Sequence, residues 1–271
     1  MRGISDKFIN DLISDTGELV AIHKKIQSNN NLCICIRDGY INIYYGGGNA
    51  LKITEQKRNY KLEFDEKYCI NGVDDGMIQK IRDLETISDY VASFDLILKI
   101  MDHWFNRYPK PEREVQQELL LRNKNIIDIE YQVKNKSRYD MIMTNQDKLV
   151  IVENKFGTGS ISGKAGLFKH YNDIQDLIDN HKDELIRSME NIIRAKQALG
   201  ISCDTMANQI NEIEILFLCI DYKPQSDRLK NEVDKIRECK KHAAKILFLA
   251  EGDYNIDFSK ATDIFSESLY S

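Results

Sequence analysis

Two carboxylates and a lysine follow one another in the second half of the chain, in the order Asp140, Glu153 and Lys155. Asp140 lies in a predicted strand at 139–143, and Glu153 and Lys155 come at the end of an apolar strand predicted at 149–152. Because side chains alternate between the faces of a strand, Glu153 and Lys155 share one face. The connection between the strands is short enough for a hairpin. We therefore expect Asp140 and Glu153 to converge at one edge of the sheet.

These residue types suit a hard divalent cation. Two carboxylates and an ammonium group at the end of an apolar strand are costly to bury without a partner. Mg²⁺ prefers oxygen ligands and is usually held by one or two carboxylates, water and substrate phosphate. A nearby lysine orients or activates a metal-bound water and offsets phosphate charge. The alternative is that Asp140 begins an ordinary strand and that Glu153 and Lys155 form a plain ion pair.

The order of Asp140, twelve further residues and then Glu153-Asn154-Lys155 resembles the PD-(D/E)XK nuclease superfamily. The elements predicted between about 111 and 250 also resemble its restriction-endonuclease-like αβββαβ core, although Tyr139 stands where the motif has proline. The resemblance implies metal-dependent hydrolysis of phosphodiester bonds in nucleic acid, with DNA the expected substrate. The alternative is a non-catalytic nucleic-acid-binding or assembly protein on a nuclease-like fold, and a protein-interaction module with surface ion pairs is a further one.

The resemblance also implies a role for each residue of the motif. Asp140 and Glu153 are expected to bind Mg²⁺ or Mn²⁺, and the backbone carbonyl of Asn154 is expected to be a third ligand. Lys155 is expected to position the attacking water. The superfamily therefore predicts a metal centre and a water-positioning group within one hairpin.

Many members of the superfamily add a glutamate from the helix before the first core strand. Glu112, Glu114 and Glu118 lie in the corresponding predicted helix. Glu114 and Glu118 are four residues apart and share a helix face, so we prefer these two without ranking them.

Candidate substrate contacts surround the motif. Members of the superfamily often carry a polar residue on the helix after the lysine, and Gln175 is one candidate. The candidates expected to contact or position phosphate or water are Arg138, Lys164, Lys169, His170 and Tyr171. Lys164 belongs to a Gly/Ser-rich loop at 157–166, whose spacing does not fit a Walker A motif. That loop is expected either to contact substrate phosphate or to be a plain connection.

The composition bounds the class of protein. Of 271 residues, 42% are hydrophobic, 30% are charged, 14 are Gly and 3 are Pro, which excludes collagen-like and wholly disordered chains. No apolar run approaches the roughly 20 residues that span a bilayer. The first residues do not resemble a signal peptide, so we expect a cytoplasmic protein with no membrane partner.

The net charge of −5 argues against non-specific coating of nucleic acid. Local basic patches at 134–138 and 223–245 would supply the attraction to nucleic acid, or are solvated faces. The six cysteines form no C-x-x-C pair and no zinc spacing, so we expect reduced cysteines that pack as small hydrophobic residues.

The overall prediction is an α/β protein in two parts, divided at Pro109-Lys110-Pro111. Residues 1–108 are predicted to form an α+β module with a small antiparallel sheet, and a loop is predicted at 74–76. Residues 109–271 are predicted to form the nuclease-like domain with a mixed sheet and a long helix that has a break near Asn180. The first module is expected to select substrate, bind a partner protein or form a homodimer. Nucleases of phage defence commonly pair such a nuclease domain with a variable module, so phage defence is the setting that we expect.

Overall fold

The computed structural model describes residues 2–70, 72–132, 138–157, 161–201, 210–222, 224, 226–266 and 269. The chain forms two compact units, of which the first comprises Met1–Leu121 with Arg194–Ile201 and the second Arg122–Ile193 with Ser202–Ser271. Compactness alone does not show independent folding, so the predicted domain boundary at residue 109 stays a prediction.

In the part of the chain that the structure describes, the first unit combines helices with a four-stranded antiparallel sheet in the order β1-β2-β3-β4. Its strands are β1 (Leu32–Ile36), β2 (Tyr40–Tyr45), β3 (Gly48–Glu55) and β4 (Tyr60–Glu63). Its helices are α1 (Asp6–Ile13), α2 (Val20–Gln27), α3 (Asp75–Arg82), α4 (Ile87–Arg107) and α5 (Pro111–Arg122), of which α5 extends one residue into the second unit.

The helix α3 occupies part of the segment where a loop is predicted. Asp74 accepts a hydrogen bond from the backbone N–H of Met77 at 3.0 Å, which makes it the N-cap of this helix. Ile78 and Ile81 are buried on its inner face. The loop predicted at 74–76 is therefore wrong, because the aspartate that suggested a turn begins a helix.

The second unit is built on a six-stranded mixed sheet in the order β10-β9-β8-β7-β6-β5. Its strands are β5 (Ile126–Gln132), β6 (Arg138–Asn145), β7 (Lys148–Phe156), β8 (Glu212–Ile220), β9 (Ala244–Leu249) and β10 (Thr262–Asp263). Its helices are α6 (Leu167–Ala198), whose last residues belong to the first unit, and α7 (Asp227–Cys239). Strands β5, β6 and β7 form an antiparallel meander, whereas β7, β8 and β9 run parallel to one another.

The sequence of the central strands explains their position in this sheet. Residues 149–152 of β7 and 215–220 of β8 are all apolar and all buried. Strands buried on both faces have such continuous apolar runs, and they occupy the middle of sheets with parallel pairs. The predicted α/β class, with an antiparallel sheet in the first part of the chain and a mixed sheet in the second, is confirmed.

The helix α6 is continuous over its 32 residues, so the break predicted near Asn180 is wrong. The side chain of Asn180 donates to the backbone carbonyl of Asp176 at 3.1 Å and to its carboxylate at 2.8 Å, both on the preceding turn. These bonds tie Asn180 to its own helix. Within the residues that the structure describes, no helix is both long and apolar enough to cross a membrane.

Candidate metal centre

The pairing between β6 and β7 ends beside the predicted motif. It runs from Asn145 opposite Lys148 to Met141 opposite Val152. Beyond that pair, β6 continues along β5 as far as Arg138, while β7 continues along β8. Asp140 and Glu153 are the next residues on the two strands, so both lie where each strand follows a different neighbour.

Asp140 reaches the end of β7 through its side chain. Its Oδ2 atom accepts a hydrogen bond from the backbone N–H of Asn154 at 2.8 Å. Because the pairing of β6 with β7 has ended there, the carboxylate replaces a strand carbonyl as the acceptor for this N–H. The bond holds Asp140 beside the residue that follows Glu153.

Glu153 and Lys155 form a buried ion pair on one face of β7. Nζ of Lys155 donates to Oε1 of Glu153 at 2.9 Å, and the two side chains are 3% and 4% exposed, respectively. Their spacing of two residues gives the shared face that strand alternation predicts. A buried pair of this kind contributes little net stability, because desolvation offsets the attraction between the charges.

His170 lies on the first turns of α6 and also faces Glu153. Its Nδ1 atom is 3.0 Å from Oε1 of Glu153, and its side chain is 20% exposed. Oε1 therefore accepts a hydrogen bond from Lys155 and has a second nitrogen, Nδ1 of His170, nearby. The other oxygen of Glu153, Oε2, is buried and has no hydrogen-bond partner.

Burial and neighbouring charge set the protonation of this group. Burial, and next the charge of Asp140, raise the pKa of Glu153 to about 8, although Lys155 opposes the shift. Burial, and next the charge of Lys155, lower the pKa of His170 to about 4. Burial thus favours the neutral imidazole and opposes ionisation of Glu153 in molecules that carry no cation.

The start of α6 is fixed by a carboxylate from α7. Oε2 of Glu232 accepts a hydrogen bond from the backbone N–H of Phe168 at 3.1 Å, and the Glu232 side chain is buried. Gly166 has no side chain with which to cap this helix, and a Cβ atom there would lie 2.7 Å from the same oxygen. Glu232 therefore acts as the cap, and it orients the turn that carries His170.

The other predicted substrate contacts differ in their surroundings. Lys164 is exposed on a short 3₁₀ turn at Gly163–Ala165. Lys169 is exposed and bonds to the carboxylate of Asp173 one turn along α6. Arg138 is exposed at the start of β6 and lies 3.2 Å from Glu130. All three lie in the second unit and leave surface open to solvent.

Tyr171 does not support a contact with substrate. Its side chain is fully buried, and its hydroxyl donates to the backbone carbonyl of His242 at 3.0 Å. The same oxygen accepts from the backbone N–H groups of Lys241 and His242, both at 3.1 Å. The tyrosine thus ties α6 to the turn before β9, and we correct its predicted role to packing. Gln175 is also buried, and its Nε2 atom has no partner.

The predicted glutamates of the preceding helix belong to α5 of the first unit. Glu114 is exposed and Glu118 is half-buried. Their membership in the site stays a prediction. Lys134, Lys136 and Lys223 of the predicted basic patches, and 158–160 of the Gly/Ser-rich loop, lie outside the described residues.

The side chains present fit a hard cation better than a closed metal cage. Among the described residues, no group of three His, Cys, Asp or Glu side chains is placed to hold a metal ion by itself. Mg²⁺ needs only one or two carboxylates because water and substrate supply its other ligands. The buried, unpartnered Oε2 of Glu153 and the neighbouring Asp140 match that requirement, since a cation would satisfy the oxygen and offset both charges.

Comparisons of the chain with protein-family models, with curated proteins and with solved structures found no match. Sequence reasoning had singled out Asp140, Glu153, Lys155 and His170, and it missed Glu232. Glu232 acts on Phe168 from 64 residues away, so no local pattern marks it. The one available signal was a glycine directly before a helix, where a capping side chain is usual.

Proposed function

We propose that this protein is a metal-dependent nuclease that hydrolyses phosphodiester bonds, with DNA as the first substrate to test. One observation carries the proposal. At the point where β6 and β7 part, a buried carboxylate oxygen without a partner, on Glu153, lies with Asp140 and Lys155. An arrangement that is costly to fold and lacks an internal partner is typical of a functional site.

The order of the elements supports this proposal. The chain runs through helix α5, the antiparallel meander β5-β6-β7, helix α6 and then β8 parallel to β7. This is the αβββαβ order that the resemblance to PD-(D/E)XK nucleases implies. Asp140 and Glu153 come on the second and third strands of that order, which agrees with the motif.

Asp140 and Glu153 would hold Mg²⁺ or Mn²⁺, with the backbone carbonyl of Asn154 as the predicted third ligand. A cation bound there stabilises negative charge on a phosphate and lowers the pKa of a bound water. Asp140 is oriented by its bond to the backbone of Asn154, and Glu153 by its bond from Lys155. Both carboxylates are therefore held in place by the surrounding protein before any ligand arrives.

Lys155 is the residue that we assign to the attacking water. Its ammonium group is buried, and a hydrogen bond to Glu153 holds it in place. A fixed positive charge beside a phosphate orients a water molecule by donating to it and offsets the charge that develops on the phosphate. Lys164, Lys169 and Arg138 are exposed and are proposed to contact phosphates of the substrate.

The test combines cation binding with cleavage. Calorimetry with Mn²⁺ should show a site in the wild type that Asp140→Ala and Glu153→Ala abolish, and plasmid nicking should be lost in both variants. Lys155→Ala should keep the cation and lower cleavage by roughly 10²–10⁴-fold. Lys148→Ala, at the other end of the same strand and paired with Glu212, is the matched control and should cleave like the wild type.

Three outcomes decide between the proposal and its alternatives. A wild type that binds no divalent cation and cleaves neither DNA nor RNA overturns the proposal. Binding of nucleic acid without cleavage, with the cation bound, supports the non-catalytic nucleic-acid-binding protein instead. Equal cleavage by Lys155→Ala and Lys148→Ala overturns the role given to Lys155.

A further inference from the structure

The two oxygens of the Glu153 carboxylate have different surroundings. Oε1 accepts from Nζ of Lys155 at 2.9 Å and lies 3.0 Å from Nδ1 of His170. Oε2 is buried and has no partner. Buried carboxylate oxygens are nearly always hydrogen-bonded, so a carboxylate with one donor and a second nitrogen near one oxygen, and nothing at the other, is held asymmetrically.

The surroundings of Oε1 also indicate which ring nitrogen of His170 carries the proton. The Lys155 ammonium can only donate, so Oε1 is the acceptor in that bond. When Glu153 is ionised, as cation binding requires, Oε1 is an acceptor only, so Nδ1 of His170, 3.0 Å away, is the nitrogen that would carry the proton, and Nε2 would be unprotonated. His170 thus meets Glu153 as a neutral donor through Nδ1.

The backbone that carries His170 is held independently of Glu153. The N–H of Phe168 donates to Glu232 at 3.1 Å, and the N–H of Leu167 donates to the carbonyl of Ile161 at 3.0 Å. The backbone N–H of His170 donates to the carbonyl of Gly166 at 3.1 Å. Because the helix start is fixed in this way, the imidazole can impose an orientation on Glu153 rather than merely follow it.

We infer that His170 is a positioning residue that occupies Oε1 of Glu153 through Nδ1–H and so presents Oε2 to a divalent cation. The inference rests on the proposed function, because it requires that Glu153 binds the cation. It gives His170 a role that differs from the substrate contact predicted from the sequence. It also assigns Glu153 to the cation through a single oxygen.

The test distinguishes the two nitrogens of His170 by substitution. The amide nitrogen of Asn takes the place of Nδ1, whereas that of the longer Gln takes the place of Nε2. Calorimetry with Mn²⁺ on the full chain should show affinity weakened roughly 10–100-fold in His170→Ala and His170→Gln, as for other residues that orient metal ligands. His170→Asn should retain most of the affinity.

Two further measurements complete the experiment. In the wild type with Mg²⁺ bound, ¹⁵N spectra of the imidazole should show the proton on Nδ1 of His170. His181→Ala is the matched control, since His181 lies on the same helix with its Nδ1 3.6 Å from Glu184, and it should bind Mn²⁺ like the wild type. Thermal unfolding of each variant should show a folded protein.

The outcomes separate this inference from the proposed function. If the wild type binds no Mn²⁺, the proposed function fails. If the wild type binds Mn²⁺ and His170→Ala binds it equally well, the inference alone fails. Retained affinity in His170→Gln with loss in His170→Asn, or a proton on Nε2, also overturns the inference, because Nε2 rather than Nδ1 would then be the nitrogen that matters.

Discussion

The surroundings of Glu153 disfavour the ionised form of its side chain. Its pKa is raised to about 8 by burial and by Asp140, against the effect of Lys155. The side chain nevertheless lies at the end of a strand of apolar residues, next to the buried ammonium of Lys155. A cation at Oε2 removes the conflict, since it favours the ionised form that burial disfavours.

The raised pKa predicts how the stability of the cation-free protein varies with pH. The ordinary pKa of a glutamate is 4.5, so between 4.5 and about 8 the folded state binds more protons than the unfolded state at Glu153. The free energy of unfolding therefore falls as pH rises in this window, by up to about 1.4 kcal/mol per pH unit. His170, lowered from 6.5 to about 4, has the opposite effect only below pH 6.5.

Urea denaturation in the presence of a chelator, between pH 6.5 and 8, isolates the contribution of Glu153. The wild type should lose stability across this range, and Glu153→Gln should lose less because it has no proton to exchange. Parallel curves for the two proteins would contradict the prediction. Addition of Mn²⁺ at pH 8 should stabilise the wild type and leave the variant unchanged.

At the scale of elements, the start of α6 depends on a carboxylate from a different helix. Glu232 accepts the N–H of Phe168, and Gly166 leaves the room that this carboxylate needs. Its second oxygen accepts from Lys235 at 2.7 Å, but the Lys235 side chain is about half exposed. Glu232 is therefore a buried side chain of α7 that bonds to the first turn of α6.

Replacement of Glu232 should destabilise the second unit more than replacement of its exposed partner. Glu232→Ala removes the carboxylate acceptor from the backbone N–H of Phe168 and should cost about 1–3 kcal/mol of unfolding free energy. Lys235→Ala, the matched control, should cost no more than about 1 kcal/mol. Gly166→Ala should also destabilise, because its Cβ would meet the Glu232 carboxylate. Equal losses in Glu232→Ala and Lys235→Ala, measured by urea denaturation, would contradict the capping role.

The elements differ in how far local sequence predicts them. Alternating and continuous apolar runs predicted the strands of both sheets, because periodicity reflects which faces are buried. The two-residue strand β10 was not predicted, since it exists only through its pairing with β9. Asp74 was interpreted as a turn residue, but the same side chain caps a helix as readily as it forms a turn.

In the candidate site, too, local sequence predicts some features and not others. Strand alternation predicted the shared face of Glu153 and Lys155, because their separation of two residues decides it. The bond from Asn154 to Asp140 and the contact of His170 with Glu153 depend on where β6 ends its pairing and where α6 begins. Tertiary packing sets where the β6 pairing ends and where α6 begins, so the spacing of residues along the chain does not predict these two contacts.

At the scale of the whole molecule, a net charge of −5 limits how nucleic acid can be bound. Under the proposed function, a chain with this charge would attract nucleic acid through a small number of basic side chains rather than through its overall field. Lys164 and Arg138, both exposed in the second unit, are the side chains proposed for that contact. Affinity should therefore be modest, and it should depend on salt through few contacts.

The salt dependence of DNA binding measures that number of contacts. For duplex DNA, the logarithm of the association constant falls by about 0.9 for each phosphate neutralised, per unit of the logarithm of salt concentration. Lys164→Ala, introduced into Lys155→Ala so that DNA is not cleaved, should reduce this slope by about one. Lys260→Ala, which removes an exposed lysine paired with Asp257, is the control and should leave the slope unchanged. Equal slopes for the Lys164 and Lys260 variants would show that the Gly/Ser-rich loop is a plain connection and does not contact phosphate.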